Sequence, residues 1–229
     1  MLFRSDALLI TDGDEAPDLI LLGQLVGWQA DQTASAASAN LHMYTGTMGE
    51  PNVFSIDPAS LNNGDINDPQ FAFDTDLSSG CLSASAPSFD LSLPIEAIGA
   101  LALSLTAARA EGQLMVNQDG FGIENGTITG YLTEQGVGSL VETIIALCIG
   151  PDTPSFCSTI NSLLMGDVVL GTEVILGFLG NADSTVNADQ TVSTGCDKDT
   201  LPAGAECAVS ICFGVSSTPT MIAGVSATE

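Results

Sequence analysis

Two short stretches restrict the fold more than any other feature: FAFDTDL and SFDLSLPI alternate apolar and polar residues with a period of two. In the first, Phe71 and Phe73 oppose Asp74 and Asp76; in the second, Phe89, Leu91, Leu93 and Ile95 share a face. Successive side chains of a strand point to opposite faces, so both stretches read as half-buried strands. ALLI, DLILLGQLVGW, NLHMY and VFSI are further candidates, separated by Asx, Gly and Pro clusters. So many short, punctuated strands predict a mainly β (α+β) fold built on an antiparallel β-sandwich or barrel. In ALALSLTAARAEGQLMV the leucines at 101, 103 and 105 are odd, whereas Leu114 and Val116 are even. That change of parity predicts a bulge or turn near Arg109 to Gly112.

The glycines of NQDGFGIENGTITGYLT raise a different question, whether they cradle a ligand or turn the chain. Gly120, Gly122 and Gly126 are spaced one residue too widely for G-x-G-x-x-G, and TITGYL intervenes before any helix. A dinucleotide loop needs that motif between a strand and a helix, so the glycines are read as turn formers at NQDG and ENG. Asn125-Gly126-Thr127 is also a formal glycosylation sequon, a very short pattern.

After Tyr131 the period becomes helical. Val137, Leu140, Val141, Ile144, Ile145 and Cys148 recur at i, i+3, i+4 and i+7, with Ser139 and Glu142 as a capping box and Gly150-Pro151 as a stop. A second helix is expected from Thr153, with Pro154 in its first turn, burying Phe156, Ile160, Leu163 and Leu164. The pair forms a helical insertion at about 134–166 within a single β-rich domain spanning 1–229. DVVLGTEVILGFLG has apolar residues at both parities and stays open between buried strands and a helix. AVSICFGV and TMIAGV return to strand character.

The six cysteines form an even set. Zinc does not suit them, because C-x-x-C is absent and His42 is the sole histidine. Cys148 and Cys157 flank IGPDTPSF, and Cys196 and Cys207 flank DKDTLPAGAE; both segments carry turn formers that can bring their ends together. The first bridge would staple the helical hairpin. Cys81 and Cys212 remain, each on the polar face of a candidate strand, and form the third expected pair. Three bridges predict an oxidising, extracytoplasmic compartment; buried free thiols are the alternative.

Asp and Glu number 28 against three Lys and Arg (Arg4, Arg109 and Lys198), and the net charge is −25. Such a surface repels nucleic acid and anionic membranes. Glu142 and Glu173 interrupt the most apolar regions, so no stretch reaches the roughly 20 apolar residues of a membrane-spanning helix. The opening MLFRSDALLITDGDEAPD has too short an apolar run for a signal peptide, which predicts a removed signal or a fragment.

Catalytic signals are sparse. A lone His42 and no G-x-S-x-G argue against Ser-His-Asp chemistry, and His42 reads as a satisfied structural histidine. Paired carboxylates could hydrolyse a glycoside, but the sequence selects no pair. No cofactor is required. Calcium is the candidate ion, with oxygen ligands at Asp12, Asp14 and Asp18 in DGDEAPD and at Asn62, Asp65 and Asp68 in NNGDIND; Asp183 and Asp189 lie in a polar loop. Turn-making by the same Asx side chains is the plainer reading.

The order FSIDPASLNNGDIND, SFDLSLPIEAI, ARAEGQLMVNQDGFGIENGTITGYLT, a cysteine-bearing helical hairpin and SICFGVSSTPTMIAG resembles uncharacterised bacterial secreted proteins and cell-surface lipoproteins, over roughly 53–224. The resemblance implies an extracytoplasmic address and disulfides, and it carries no catalytic residue. The expected function is that of a non-enzymatic exported binding or structural domain, with a cell-envelope protein, extracellular protein or glycan as partner. A carboxylate-dependent glycoside hydrolase and a self-assembling surface-layer or filament subunit are the alternatives.

Overall fold

The computed structural model describes residues 5–10, 19–28, 37–48, 53–95, 99–116, 121–149, 153, 157–158, 162, 166–180 and 182–226. Its strands are β1 (Ser5–Ile10), β2 (Leu19–Val26), β3 (Ala37–Met48), β4 (Val53–Ile56), β5 (Phe71–Ser78), β6 (Cys81–Ile95), β7 (Gly99–Val116) and β8 (Phe121–Thr133). The helices α1 (Glu134–Leu147) and α2 (Val168–Leu179) follow, then β9 (Ser184–Val186), β10 (Val192–Thr194), β11 (Glu206–Val215) and β12 (Thr218–Val225). The fold is mainly β, as expected. Its sheet is mixed rather than purely antiparallel, because β4 and β12 are far apart in sequence and pair in parallel. The strand order starts at β10 and ends at β4, which pairs back onto β3; the expected antiparallel sandwich or barrel is not closed as a single sheet, whereas β3, β2, β1, β12 and β4 pair in a ring.

The chain forms two compact units. Unit 1 comprises Met1–Ala86, Arg109–Ile128 and Phe213–Glu229; unit 2 comprises Pro87–Ala108 and Thr129–Cys212.

In unit 1, β5, β3, β2, β1 and β12 pair antiparallel in that order, and β4 pairs with β12 on one side and with β3, through Gly46–Met48, on the other. One face of β2, β3, β5 and β6 carries Leu25, Leu41, Phe73, Leu77, Leu82 and Ala84, all buried. The register sets Leu25 against Leu41, Leu41 against Phe73, and Leu77 against Leu82, so period-two patterns on separate strands combine into one apolar layer. A second cluster, Ile20, Leu22, Tyr44, Phe54, Ile56, Leu61 and Ile222, lies where β2, β3, β4 and β12 meet.

The parity change in β7 is resolved by a bulge. Ala107 has φ +50°, and burial passes from Leu105 to Ala108, Ala110 and Leu114 without a turn. The expected turn at ENG is also a bulge, since Asn125 has φ +49° while β8 continues to Thr133. Gly112 and Gly126 permit close strand packing: a Cβ on Gly126 would come within 2.7 Å of Ile123 Cγ2 and 3.0 Å of the Val215 carbonyl oxygen. The NQDG turn lies outside the described residues.

In unit 2, α1 starts earlier than its apolar pattern suggests. Thr133 is the N-cap, its Oγ1 accepting from Gly136 N at 3.1 Å, whereas Ser139 donates within the helix to the Gln135 carbonyl and caps nothing. Val137 and Val141 are buried. The open segment DVVLGTEVILGFL is α2, because Asp167 caps it by accepting from Val169 N and Leu170 N, and Gly180 at φ +113° ends it. α1 packs against α2. The helix expected from Thr153 falls largely outside the described residues, but within its span Cys157, Ser158 and Ser162 are described and are helical. Among the described residues no helix is long and apolar enough to cross a membrane.

Candidate functional site

The opposite face of β2, β3, β5 and β6 in unit 1 changes polarity row by row. Leu22 pairs with Tyr44 in the apolar cluster; Gln24, His42 and Ala72 form the next row; Val26, Asn40, Asp74 and Ser85 form a third; Asp76 and Ser83 follow. The first row is covered and the last two are exposed. Together with Arg109 of β7, Asn40, Asp74, Asp76, Ser83 and Ser85 line a depression of about 700 Å³.

The turn before β6 sets this constellation. Ser79 and Gly80 have φ values of 53° and 77°, as a two-residue hairpin turn of the primed type requires. That turn pairs Ser78 with Cys81, and the period of two then sets Asp76 opposite Ser83 and Asp74 opposite Ser85.

The hydrogen bonding of the carboxylates on this face differs from that of the loop aspartates of unit 1. Elsewhere in unit 1 aspartates are occupied locally: Asp57 accepts from Ala59 N at 2.9 Å, Asp65 from Asn67 N at 2.9 Å, and Asp68 from Asn62 Nδ2 at 3.1 Å. Among the described residues, Asn40, Asp74, Asp76, Ser85 and Arg109 have no side-chain hydrogen bond or ion pair, and Ser83 has one long contact of 3.4 Å to Glu111. The face therefore presents acceptors at Asp74 and Asp76, a donor fork at Arg109, and groups of both kinds at Asn40, Ser83 and Ser85.

His42 lies at the border of the polar face and is buried, as is Gln24. Its Nδ1 is 3.3 Å from the Tyr44 hydroxyl oxygen, which is 2.9 Å from Gln24 Oε1 and 3.0 Å from the Ile66 carbonyl oxygen. One hydroxyl proton serves the two acceptors, and the oxygen accepts from His42 when Nδ1 carries its proton. Burial lowers the His42 pKa, partly opposed by the Asp68 carboxylate, and pushes the Tyr44 pKa up to about 12. His42 thus lies in a buried hydrogen-bonded network with Tyr44 and Gln24.

The calcium candidates fare differently. Asp12, Asp14 and Asp18 lie outside the described residues. Asp65 and Asp68 make the turn bonds given above, and among the described residues no group of three His, Cys, Asp or Glu side chains is arranged to hold an ion. In unit 2, Asp183 accepts from Ser184 Oγ and from both the backbone and hydroxyl of Ser210, and the Ser210 hydroxyl bond chiefly holds its pKa down. Asp189 accepts from Thr191 N and Oγ1. Lys198 pairs with Glu134.

Two expected disulfides are present in unit 2: Cys148–Cys157 and Cys196–Cys207, with Cα separations of 5.3 and 5.5 Å. The third pair requires correction, since Cys81 and Cys212 are both free and exposed. A shared polar-face position on two strands therefore does not make a disulfide, which also needs the two Cα atoms within about 7 Å.

Sequence reasoning missed the depression. FAFDTDL and CLSASA showed which residues share a face, and the Ser79-Gly80 dipeptide carried the register signal, but the placement of Asn40 and Arg109 beside them depends on pairings far apart in the chain. No protein-family model matches the chain, and no curated protein or solved structure does.

Proposed function

We propose that the protein is a non-enzymatic exported binding domain whose ligand-contacting surface is the polar sheet face of unit 1. The observation that carries the reading is the convergence of Asn40, Asp74, Asp76, Ser85 and Arg109, from four strands, on one exposed depression. Two disulfides in unit 2 and the resemblance to secreted and cell-surface proteins support the extracytoplasmic address. The carboxylates on this face sit on an exposed surface, without the apolar surroundings by which a hydrolase keeps one carboxyl protonated as an acid.

The test is incubation of the full chain with polysaccharides, followed by chromatography for released products and by thiol counting on protein recovered from its native host. No cleavage and two alkylatable thiols are expected. Cleavage that is lost in both Asp74→Asn and Asp76→Asn overturns the non-enzymatic reading in favour of the hydrolase. Six alkylatable thiols overturn export.

A further inference from the structure

We propose that the polar face of unit 1 binds a neutral, hydroxyl-rich saccharide segment, an inference that rests on reading this unit as a binding domain. The argument is one of donor and acceptor balance. Asp74 and Asp76 only accept, Arg109 only donates, and Asn40, Ser83 and Ser85 do both. A polycation would satisfy the carboxylates but bring like charge onto the Arg109 guanidinium. A polyanion would suit Arg109 but meet two carboxylates in a chain of net charge −25. A hydroxyl group donates to a carboxylate and accepts from a guanidinium, so a neutral polyol can hydrogen-bond to the whole set without bringing like charges together.

Spacing agrees with this assignment. Asp74 and Asp76 are two residues apart on one strand, about 6.6 Å, and Asn40, Asp74 and Ser85 lie in register on adjacent strands about 4.8 Å apart. These intervals place several bonding groups within reach of the hydroxyls of one or two linked sugar rings. Among the described residues no aromatic side chain on which a ring could stack lines the depression, and its open, wet surface limits affinity to the millimolar or high micromolar range.

The experiment is an amide-resolved NMR titration of the full chain with neutral cellohexaose, mannohexaose and N-acetylated chitohexaose, with hexalysine as the competing probe. At least one saccharide is expected to shift Asn40, Asp74, Asp76, Ser83, Ser85 and Arg109, with an affinity that hardly changes between low and high salt. Arg109→Gln, checked for unchanged spectral dispersion elsewhere, is expected to weaken binding about tenfold through loss of a charge-assisted donor. Salt-sensitive hexalysine binding at these residues, with no saccharide response, overturns the saccharide assignment and leaves the binding-domain reading intact. Saccharide shifts confined to other residues overturn this site alone. No response of unit 1 to any probe overturns both.

Discussion

His42 Nδ1 lies 3.3 Å from the Tyr44 hydroxyl oxygen, so the only histidine of the chain is held against a buried phenol. The pairing restricts what protonation can do. Burial lowers the folded-state pKa of His42 below its usual value of 6.5, whereas the unfolded chain titrates normally. Above pH 6.5 both states are neutral and the contribution to stability is complete; as pH falls from 6.5 towards the folded pKa, the unfolded state takes up the proton first and stability is lost. Denaturant melts across this window should show a decline that His42→Gln largely removes, and the single histidine ring resonance should titrate below 6.5. A ring titrating above 6.5 refutes the prediction.

Tyr44→Phe tests the same network without a charge change. It removes the donor shared by Gln24 Oε1 and the Ile66 carbonyl, and deletes the acceptor facing His42. Because Gln24 and His42 are buried, a loss of about 1–3 kcal/mol is expected in urea unfolding. An unchanged midpoint would show that water replaces the hydroxyl.

The close approach of strands at Gly126 predicts a steric cost. A Cβ there would lie 2.7 Å from Ile123 Cγ2, 2.9 Å from Val215 Cγ2 and 3.0 Å from the Val215 carbonyl oxygen, and a backbone atom cannot move aside as a side-chain tip can. Gly126→Ala should destabilise by about 1–3 kcal/mol. Gly214→Ala, where no atom lies within 4 Å of the added carbon, is the control and should change stability by no more than about 0.5 kcal/mol. Equal melting temperatures for the two variants contradict the assigned packing.

Cysteine chemistry offers a fourth test. Alkylation of the native, unreduced protein should modify Cys81 and Cys212 and spare the other four. Replacing Cys196 and Cys207 together by serine should cost about 2–4 kcal/mol, since the bridge closes a loop across a sequence separation of 11. Protection of Cys81 and Cys212 from alkylation would restore the third bridge.

Some local signals were not readable even where the partner lay nearby in sequence. Thr133 and Asp167 are both ordinary capping residues, yet only the structure showed that they set the starts of α1 and α2. Thr133 precedes the apolar pattern by several residues, and the apolar content of α2 has no clear periodicity. In β7 the parity change was visible in the leucines, but the bulge lies at Ala107, where no glycine or proline marks it.

By itself, the sequence determined the faces: Phe71 and Phe73 against Asp74 and Asp76, Leu82 and Ala84 against Ser83 and Ser85, and the two cysteine pairs joined across short turn-rich loops. Alternation and loop closure are local properties, fixed by a few bonds of chain. Only the tertiary structure decided which faces meet. It set Asn40 beside Asp74, brought Arg109 to the same depression, set His42 against Tyr44, and left Cys81 and Cys212 as free thiols. Strand order joins residues distant in the chain, and a period of two specifies a face without naming the strand that will lie beside it.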